Sequence, residues 1–567
     1  MRVLKLITCV ACLSLSGPGL TAAELQGGGD ASLILTGGKI HITGGVAEAM
    51  AVDAAGIIIA TGSAADIGSH RGDGSKVIDL AGWSVLPGFH DLHVHPAYAG
   101  LNAAACVIPQ GATLAELQTL VKACVDKAKP GEWVSGGQWD ASAIGGVPTR
   151  QMLDEVAPDN PVLLTATSGH SSWVNTIALQ VAGVTRDTPD PEGGIIERDA
   201  DGNPAGVLRE YAARLVRSHI PPPTADDMRA ALKWSLDKML SYGITSFTEA
   251  SAWPEAVKAY SALADENVLK QRVRLCLRWY EGNASAEAMI DSRNLYARDR
   301  VATDCVKIML DGVPTDSHTA AMLEPYGGSI EGREDEASRK GLLMVDPKTL
   351  NSLTTKLDRQ GLTVKFHAAG DAAVRAGLDA IEAARVANGF SRLLHNVGHC
   401  TFVAQSDILR AGKIAATFEV SPYLWAPSPI NDSITAAVGD ERMDRVWPVR
   451  EMLKAGALVV PGSDWSVVPS VNPWIGIETL ITRQTPGDGS GKSFGKDEAI
   501  TLDQAIAMYT VSSARHVGTA HKLGRIEEGM LADVIVVDQD PYEVATRDLH
   551  KTNVMMTIIN GEIVYTR

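Results

Sequence analysis

His93 and His95 alternate with Val94 in GFHDLHVHP, so on an extended segment both imidazoles project to one side and can meet one cation. Four further residues able to join such a site stand near the ends of apolar runs far along the chain. They are Lys307 in CVKIMLDG, His367 in VKFHAAGD, His399 in HNVGHC and Asp464 in VVPGSDW. Nitrogen and oxygen ligands of this kind suit zinc, which lowers the pKa of a bound water to about 7 and so supplies a nucleophile at neutral pH. Taken singly, each residue has an ordinary explanation. A lone His-x-His pair fits any strand end, His367 and His399 fit satisfied core histidines, Asp464 fits a helix cap, and Lys307 fits a strand-end cation neutralising Asp304 or Asp311. Their common placement at strand ends argues for a joint role, because ligands at the C-termini of parallel barrel strands converge on one face.

The elements that would position them are eight apolar runs ending in turn residues: 84–96, 244–250, 272–278, 305–312, 362–368, 393–399, 413–420 and 457–464. Between most of them lie stretches with helical spacing. In TADDMRAALKWSLDKMLSYG, Thr224 can cap, and Met228, Ala231, Leu232, Ser235, Leu236 and Met239 form one face. Alternating strands and helices predict an α/β fold of the (β/α)8 TIM-barrel type, with the candidate ligands on its first, fourth, fifth, sixth and eighth strands. Residues of about 100–222 exceed any ordinary connection and read as a subdomain inserted over the barrel mouth. Both ends have short β runs punctuated by Gly and Asp, the texture of hairpins, and predict one small β-sandwich built from both termini. The expected organisation is a sandwich over 30–85 and 515–567, a barrel over 86–514, and the insertion over 100–222 within it.

With 567 residues, 45% of them hydrophobic, the chain can bury a large core without staples. Its net charge of −16 and the lack of a basic run speak against nucleic acid as a partner. Residues 1–23 show a basic start at Arg2 and Lys5, an apolar stretch from Leu6 to Leu15 and small residues up to Ala23. This predicts a cleaved secretory signal, too short to span a membrane, and hence a periplasmic or secreted protein. Cys9 and Cys12 lack the sequence context of a lipoprotein. Among the other cysteines, Cys276 and Cys305 lie in apolar strand patterns and are expected to be buried thiols, while a Cys106–Cys124 bridge is left open. The pattern does not decide between a monomer and a homo-oligomer.

PGFHDLHVHP, GHSSWVNTIAL, PDPEGGII, TAAMLEPY, FHAAGDAAV and GSDWSVVPSVNPW together resemble the amidohydrolase superfamily, in its amidohydrolase-3 branch, over nearly the whole chain. The resemblance implies a barrel with a β-sandwich and a metal centre that activates water, usually to hydrolyse C–N bonds. It implies His93 and His95 on a more buried ion, His367 and His399 on a more exposed one, Lys307 bridging the two as a carbamate formed with CO2, and Asp464 both binding metal and handling the proton. Two divalent ions, zinc in the first instance, are the cofactors implied. The chain departs from the family pattern at its sixth strand, where Asn396-Val397-Gly398-His399 replaces Arg-Ile-Glu-His. It departs again at Ser317-His318-Thr319-Ala320, where many members have Ser-Arg-Thr-Ala.

Candidate pocket walls are Trp139 and His170 from the insertion, with His318, Tyr423, Trp425 and Trp465 from the barrel. An equally simple role for Trp139 and His170 is to stabilise the insertion itself. The expected activity is metal-dependent hydrolysis of a small-molecule amide or N-substituted formamide. The rival activities are ester, lactone or cyclic-amide hydrolysis on the same centre, and the rival class is an inactive binding scaffold.

Overall fold

The structure is a computed structural model and describes residues 30–567 apart from 110, 142, 167–170, 192–193, 211, 316–317, 328–337 and 490. The expected signal segment and His170 therefore lie outside the described residues.

Eight parallel strands form the barrel: β1 (Phe89–Val94), β2 (Ile244–Ala252), β3 (Arg272–Trp279), β4 (Val301–Met309), β5 (Thr363–Ala368), β6 (Asn396–His399), β7 (Thr417–Val420) and β8 (Leu458–Pro461). They pair in consecutive order from β1 to β8. Parallel neighbours require crossovers, and amphipathic helices supply them. Helix Ala225–Leu240 starts at Thr224, whose side chain accepts from the Asp227 N–H, and it buries the face read from the sequence, from Met228 to Met239. Ser235 on that face donates to the Pro96 carbonyl at 2.7 Å, tying the helix to the segment that leaves β1.

The seam between β8 and β1 closes just beyond the end of β8. The Asp464 N–H donates to the His93 carbonyl at 2.7 Å, and the His95 N–H donates to the Trp465 carbonyl at 2.6 Å. Gly462 permits this approach, since a Cβ there would lie 2.2 Å from the Cβ of His93. Three candidate ligands thus sit where the barrel closes.

The apolar run 84–96 is two strands rather than one. Ser84–Pro87 pairs with Ala31–Ile42 and with Val534–Val537, and only after Gly88 does the chain enter the barrel as β1. A continuous hydrophobic pattern cannot reveal a change of sheet, because both halves are buried. The seventh strand also begins later than its apolar run, since Gly412–Ile414 is a 3-10 turn ahead of β7.

The two termini meet in one eight-stranded sheet. It encloses a core shared by Leu33, Met50, Val536 and Ile558. Period-two alternation gives Val534–Val537 two jobs: Val534 and Val536 face that core, while Ile535 and Val537 pack on the barrel. The insertion carries a five-stranded sheet of its own, in the order Gly194–Arg198, Pro204–Glu210, Ser171–Val174, Val162–Ala166 and Val134–Trp139.

Two disulfides are present among the described residues. Cys106–Cys124 joins two parts of the insertion with Cα atoms 5.7 Å apart. Cys276 and Cys305 are also bonded, contrary to the buried thiols expected from their apolar surroundings. They are register partners on β3 and β4, and this adjacency across strands is invisible in a linear pattern. Cys400 is the free cysteine among the described residues. No helix among the described residues is long and apolar enough to cross a membrane.

Candidate metal centre

The ligand atoms of His93, His95 and Asp464 all lie within 4.8 Å of one another. Asp464 Oδ1 stands 3.6 Å from His93 Nε2 and 3.3 Å from His95 Nε2, and its Oδ2 stands 3.9 Å from His399 Nδ1. The imidazole of His399 is 4.7 Å from that of His93 and 4.4 Å from that of His367, centre to centre. Three histidines, His93 on β1, His95 just after it and His399 on β6, therefore face one carboxylate, and His367 on β5 packs against His399. Asp464 and His399 both adopt positive φ, at 62° and 72°. Non-glycine residues held in that region cost roughly 1–3 kcal/mol, an expense met most often at functional sites.

Lys307, from β4, is 2% exposed, and its Nζ has no hydrogen-bond partner among the described residues. Burial lowers its pKa to about 8, with Arg278 acting in the same direction and Asp464 opposing. An orphaned, easily deprotonated amine beside a histidine cluster fits a group that becomes a ligand by reaction. Burial likewise holds His93 and His399 well below the usual histidine range and takes His367 to about 4, so these rings are neutral, and His367 Nε2 donates to the Gly312 carbonyl at 3.1 Å, which leaves its Nδ1 to coordinate. His95 differs. Burial pulls it down, but Asp464 and Glu249 outweigh that and raise it.

Behind the histidines stand carboxylates to which the sequence reading gave no role at the metal centre. Glu419 on β7 is fully buried and bonds His93 Nδ1 and the Lys365 ammonium, and it accepts from Asn396 Nδ2 at 2.6 Å. Glu249 on β2 faces His95 Nδ1 at 3.5 Å and accepts from the Tyr260 hydroxyl at 3.1 Å. A carboxylate on the second ring nitrogen fixes the tautomer and orientation of a ligating histidine. Gly398 is the register partner of Glu419, and a Cβ there would meet Glu419 Oε1 at 3.0 Å. The glycine in the sixth-strand motif thus leaves room for the Glu419 carboxylate of the next strand. Asp91 Oδ1 accepts from the His93 and Ser463 N–H groups at 3.1 and 3.0 Å and so clamps both sides of the seam, while burial raises its pKa to about 6. Asp311, raised by burial to about 7, accepts from the Ala321, Ala369 and Gly370 N–H groups and stands 3.7 Å from His367 Nε2. The available signal for these acids was a lone carboxylate inside an apolar strand, as in SFTEAS and ATFEVS.

The aromatic candidates divide. Trp465 follows Asp464 and stacks on the exposed Trp234, ring centres 5.8 Å apart. Trp425 is fully buried, stacked on Trp447 with the Arg483 guanidinium 4.3 Å from its ring centre, which is a packing position rather than an open wall. Trp139 packs edge-on against Trp173 within the insertion and donates to the Leu164 carbonyl. His318 lies edge-on to Tyr326 with φ at 50°.

Barrel and site together define a hydrolase scaffold of the metal-using kind. The chain belongs to the Amidohydrolase family, which matches residues 76–565. It is 29% identical to Protein LONG AFTER FAR-RED 3 of Arabidopsis thaliana, covering 94% of this chain and 92% of that protein. It is 28% identical to the N-substituted formamide deformylase of Arthrobacter pascens, over 90% of this chain and 94% of that enzyme. Among solved structures, an uncharacterized metal-dependent hydrolase from Pyrococcus horikoshii OT3 matches 91% of this chain and 99% of its own at a TM-score of 0.74 and 24% identity, a likeness of fold.

Proposed function

We propose that the chain hydrolyses the C–N bond of an amide or N-substituted formamide at a centre of two divalent ions, zinc in the first instance. The observation that carries this reading is the convergence of four neutral or tunable histidines, one carboxylate and one unpartnered amine on the open end of the barrel. His93 and His95 would hold one ion and His367 and His399 the other, with Asp464 beside both histidine pairs. Lys307 would join them after its neutral amine adds to CO2, forming an N–C bond and releasing a proton. Divalent ions in such a site polarise a carbonyl and bring the pKa of water near neutrality. Within the chain, Asp464 would take the proton of the attacking water and pass it to the leaving nitrogen. Glu419 would keep the His93 imidazole turned toward it, with Glu249 facing His95 Nδ1 at 3.5 Å. The N-terminal pattern and the two disulfides support an exported enzyme, since such bonds persist in oxidising compartments.

The test is a matched series of amides, formamides and esters, assayed with zinc- and manganese-loaded protein, with mass-spectrometric detection of both products and metal analysis alongside. One to two ions per chain and chelator-sensitive release of amines are expected. Activity that survives complete metal removal, or turnover confined to esters, overturns the reading.

A further inference from the structure

Three arginines on β3 differ in what faces them. Arg272 meets Asp533 and Asn560, and Arg274 is held by Asp304 at 2.9 and 3.1 Å. Arg278, at the C-terminal end of the strand, has no carboxylate partner among the described residues. Its Nε donates to Ser251 Oγ at 2.9 Å and its Nη2 to the Tyr98 hydroxyl at 2.9 Å. The rings of Tyr98 and Trp253, in contact with each other at 4.5 Å, stand 5.8 and 5.9 Å from its guanidinium carbon and flank the group on one side. Arg278 is also the register partner of Lys307, and register partners on adjacent strands project to the same side of a sheet. The guanidinium is therefore on the side of the wall that carries the candidate ligands, at its open rim. Tyr98 reaches back to the centre, its ring 6.2 Å from that of His95, and it is 37% exposed.

A chain with 67 acidic residues has no shortage of counter-ions, yet none is seated here. The two assigned hydrogen bonds are to neutral hydroxyls, and they leave Nη1 and the second N–H of Nη2 unassigned. Those two donors form the edge of a guanidinium that accepts a carboxylate in two parallel bonds. We infer that Arg278 is an anion subsite of the active site, and that the substrate is an amide carrying a carboxylate a short chain away from the bond that is cut. Tyr98 and Trp253 hold the guanidinium and offer apolar faces to the intervening carbons. This inference rests on the C–N hydrolase reading for the reaction, though not for the binding.

Two formamides of similar length separate the effects: N-formyl-β-alanine, which carries the carboxylate, and N-butylformamide, which does not. In Arg278→Gln the ratio of kcat/KM for the acid over the neutral compound should fall about 10- to 100-fold, the range of a charge-assisted hydrogen bond, and the fall should appear in KM. Arg278→Lys should restore part of the ratio, as a point charge without the fork. Calorimetric titration of metal-loaded protein with succinate needs no turnover and should show binding weakened at least about tenfold in Arg278→Gln. An unchanged ratio, or succinate binding indifferent to the substitution, removes the subsite and leaves the reaction intact. Succinate binding that depends on Arg278, with neither formamide hydrolysed, keeps the subsite and removes the proposed reaction.

Discussion

Lys307 and Lys365 are register partners on β4 and β5, both almost fully buried, yet one is enclosed by partners and the other by none. The Lys365 ammonium bonds Glu419 and donates to the Leu92 carbonyl at 3.0 Å, and Glu419 in turn holds His93 and Asn396. Lys307 has no such bond among the described residues. The same residue type at the same depth is therefore structural framework in one strand and chemically available in the next. Burial lowers the pKa of both amines, so what separates them is their bonds: Lys365 is fixed by Glu419 and the Leu92 carbonyl, whereas the unpartnered Lys307 amine is free to react.

The sharpest way to break this comparison is Lys307→Ala. If the amine supplies a bridge, this variant folds, retains less metal and loses at least about a thousandfold in kcat/KM, as expected for loss of several kcal/mol of transition-state stabilisation. Lys307→Arg fares no better, and short carboxylic acids partly restore metal and activity to the alanine variant. Near-normal metal content and turnover in Lys307→Arg would falsify the bridging role.

The second probe reads stability in urea on metal-free protein and compares methionine at the two positions. Lys365→Met strands the Glu419 carboxylate in the interior and should cost about 3–5 kcal/mol. Lys307→Met removes an unsatisfied buried amine and should gain about 1–3 kcal/mol. Losses of equal size in both variants would show that Lys307 is as well compensated as its neighbour.

A smaller effect distinguishes the two carboxylates behind β1. Glu249→Gln keeps the shape beside His95 and removes the charge that faces its Nδ1 at 3.5 Å, so metal affinity measured by competition with a chromogenic chelator should fall about 10- to 100-fold. The fold should survive, because among the described residues Glu249 pairs with no buried lysine, as Glu419 does. Unchanged affinity would confine the orienting role to Glu419.

Much of this was legible in the sequence, and the reasons are specific. His93 and His95 lie on a period-two pattern that translates directly into a shared side, and strand ends could be read because apolar runs stop at turn residues. The amphipathic face of Ala225–Leu240 was visible for the same reason, since one helix carries its own periodicity. What stayed hidden depends on neighbours brought together across strands. Glu419, Glu249 and Lys365 look like isolated charges in apolar runs, and only the register shows that they answer His93, His95 and one another. The Cys276–Cys305 bond and the change of sheet at Gly88 were missed on the same ground. Trp425 read as a pocket wall, whereas its burial beneath Trp447 and Arg483 is a property of packing alone.

The seam carries a consequence for the order in which the molecule is made. Asp91 and Ser463, which bond across it, are 372 positions apart, and β8 is the last barrel strand to be synthesised. Contacts so distant in sequence form late, after the cost of closing the intervening loop has been met. A nascent chain can thus hold His93, His95, Lys307, His367 and His399 on finished strands while Asp464 is still unmade. Completion of the ligand set coincides with completion of the barrel, so a chain truncated before β8 forfeits its chemistry and its closure in a single stroke.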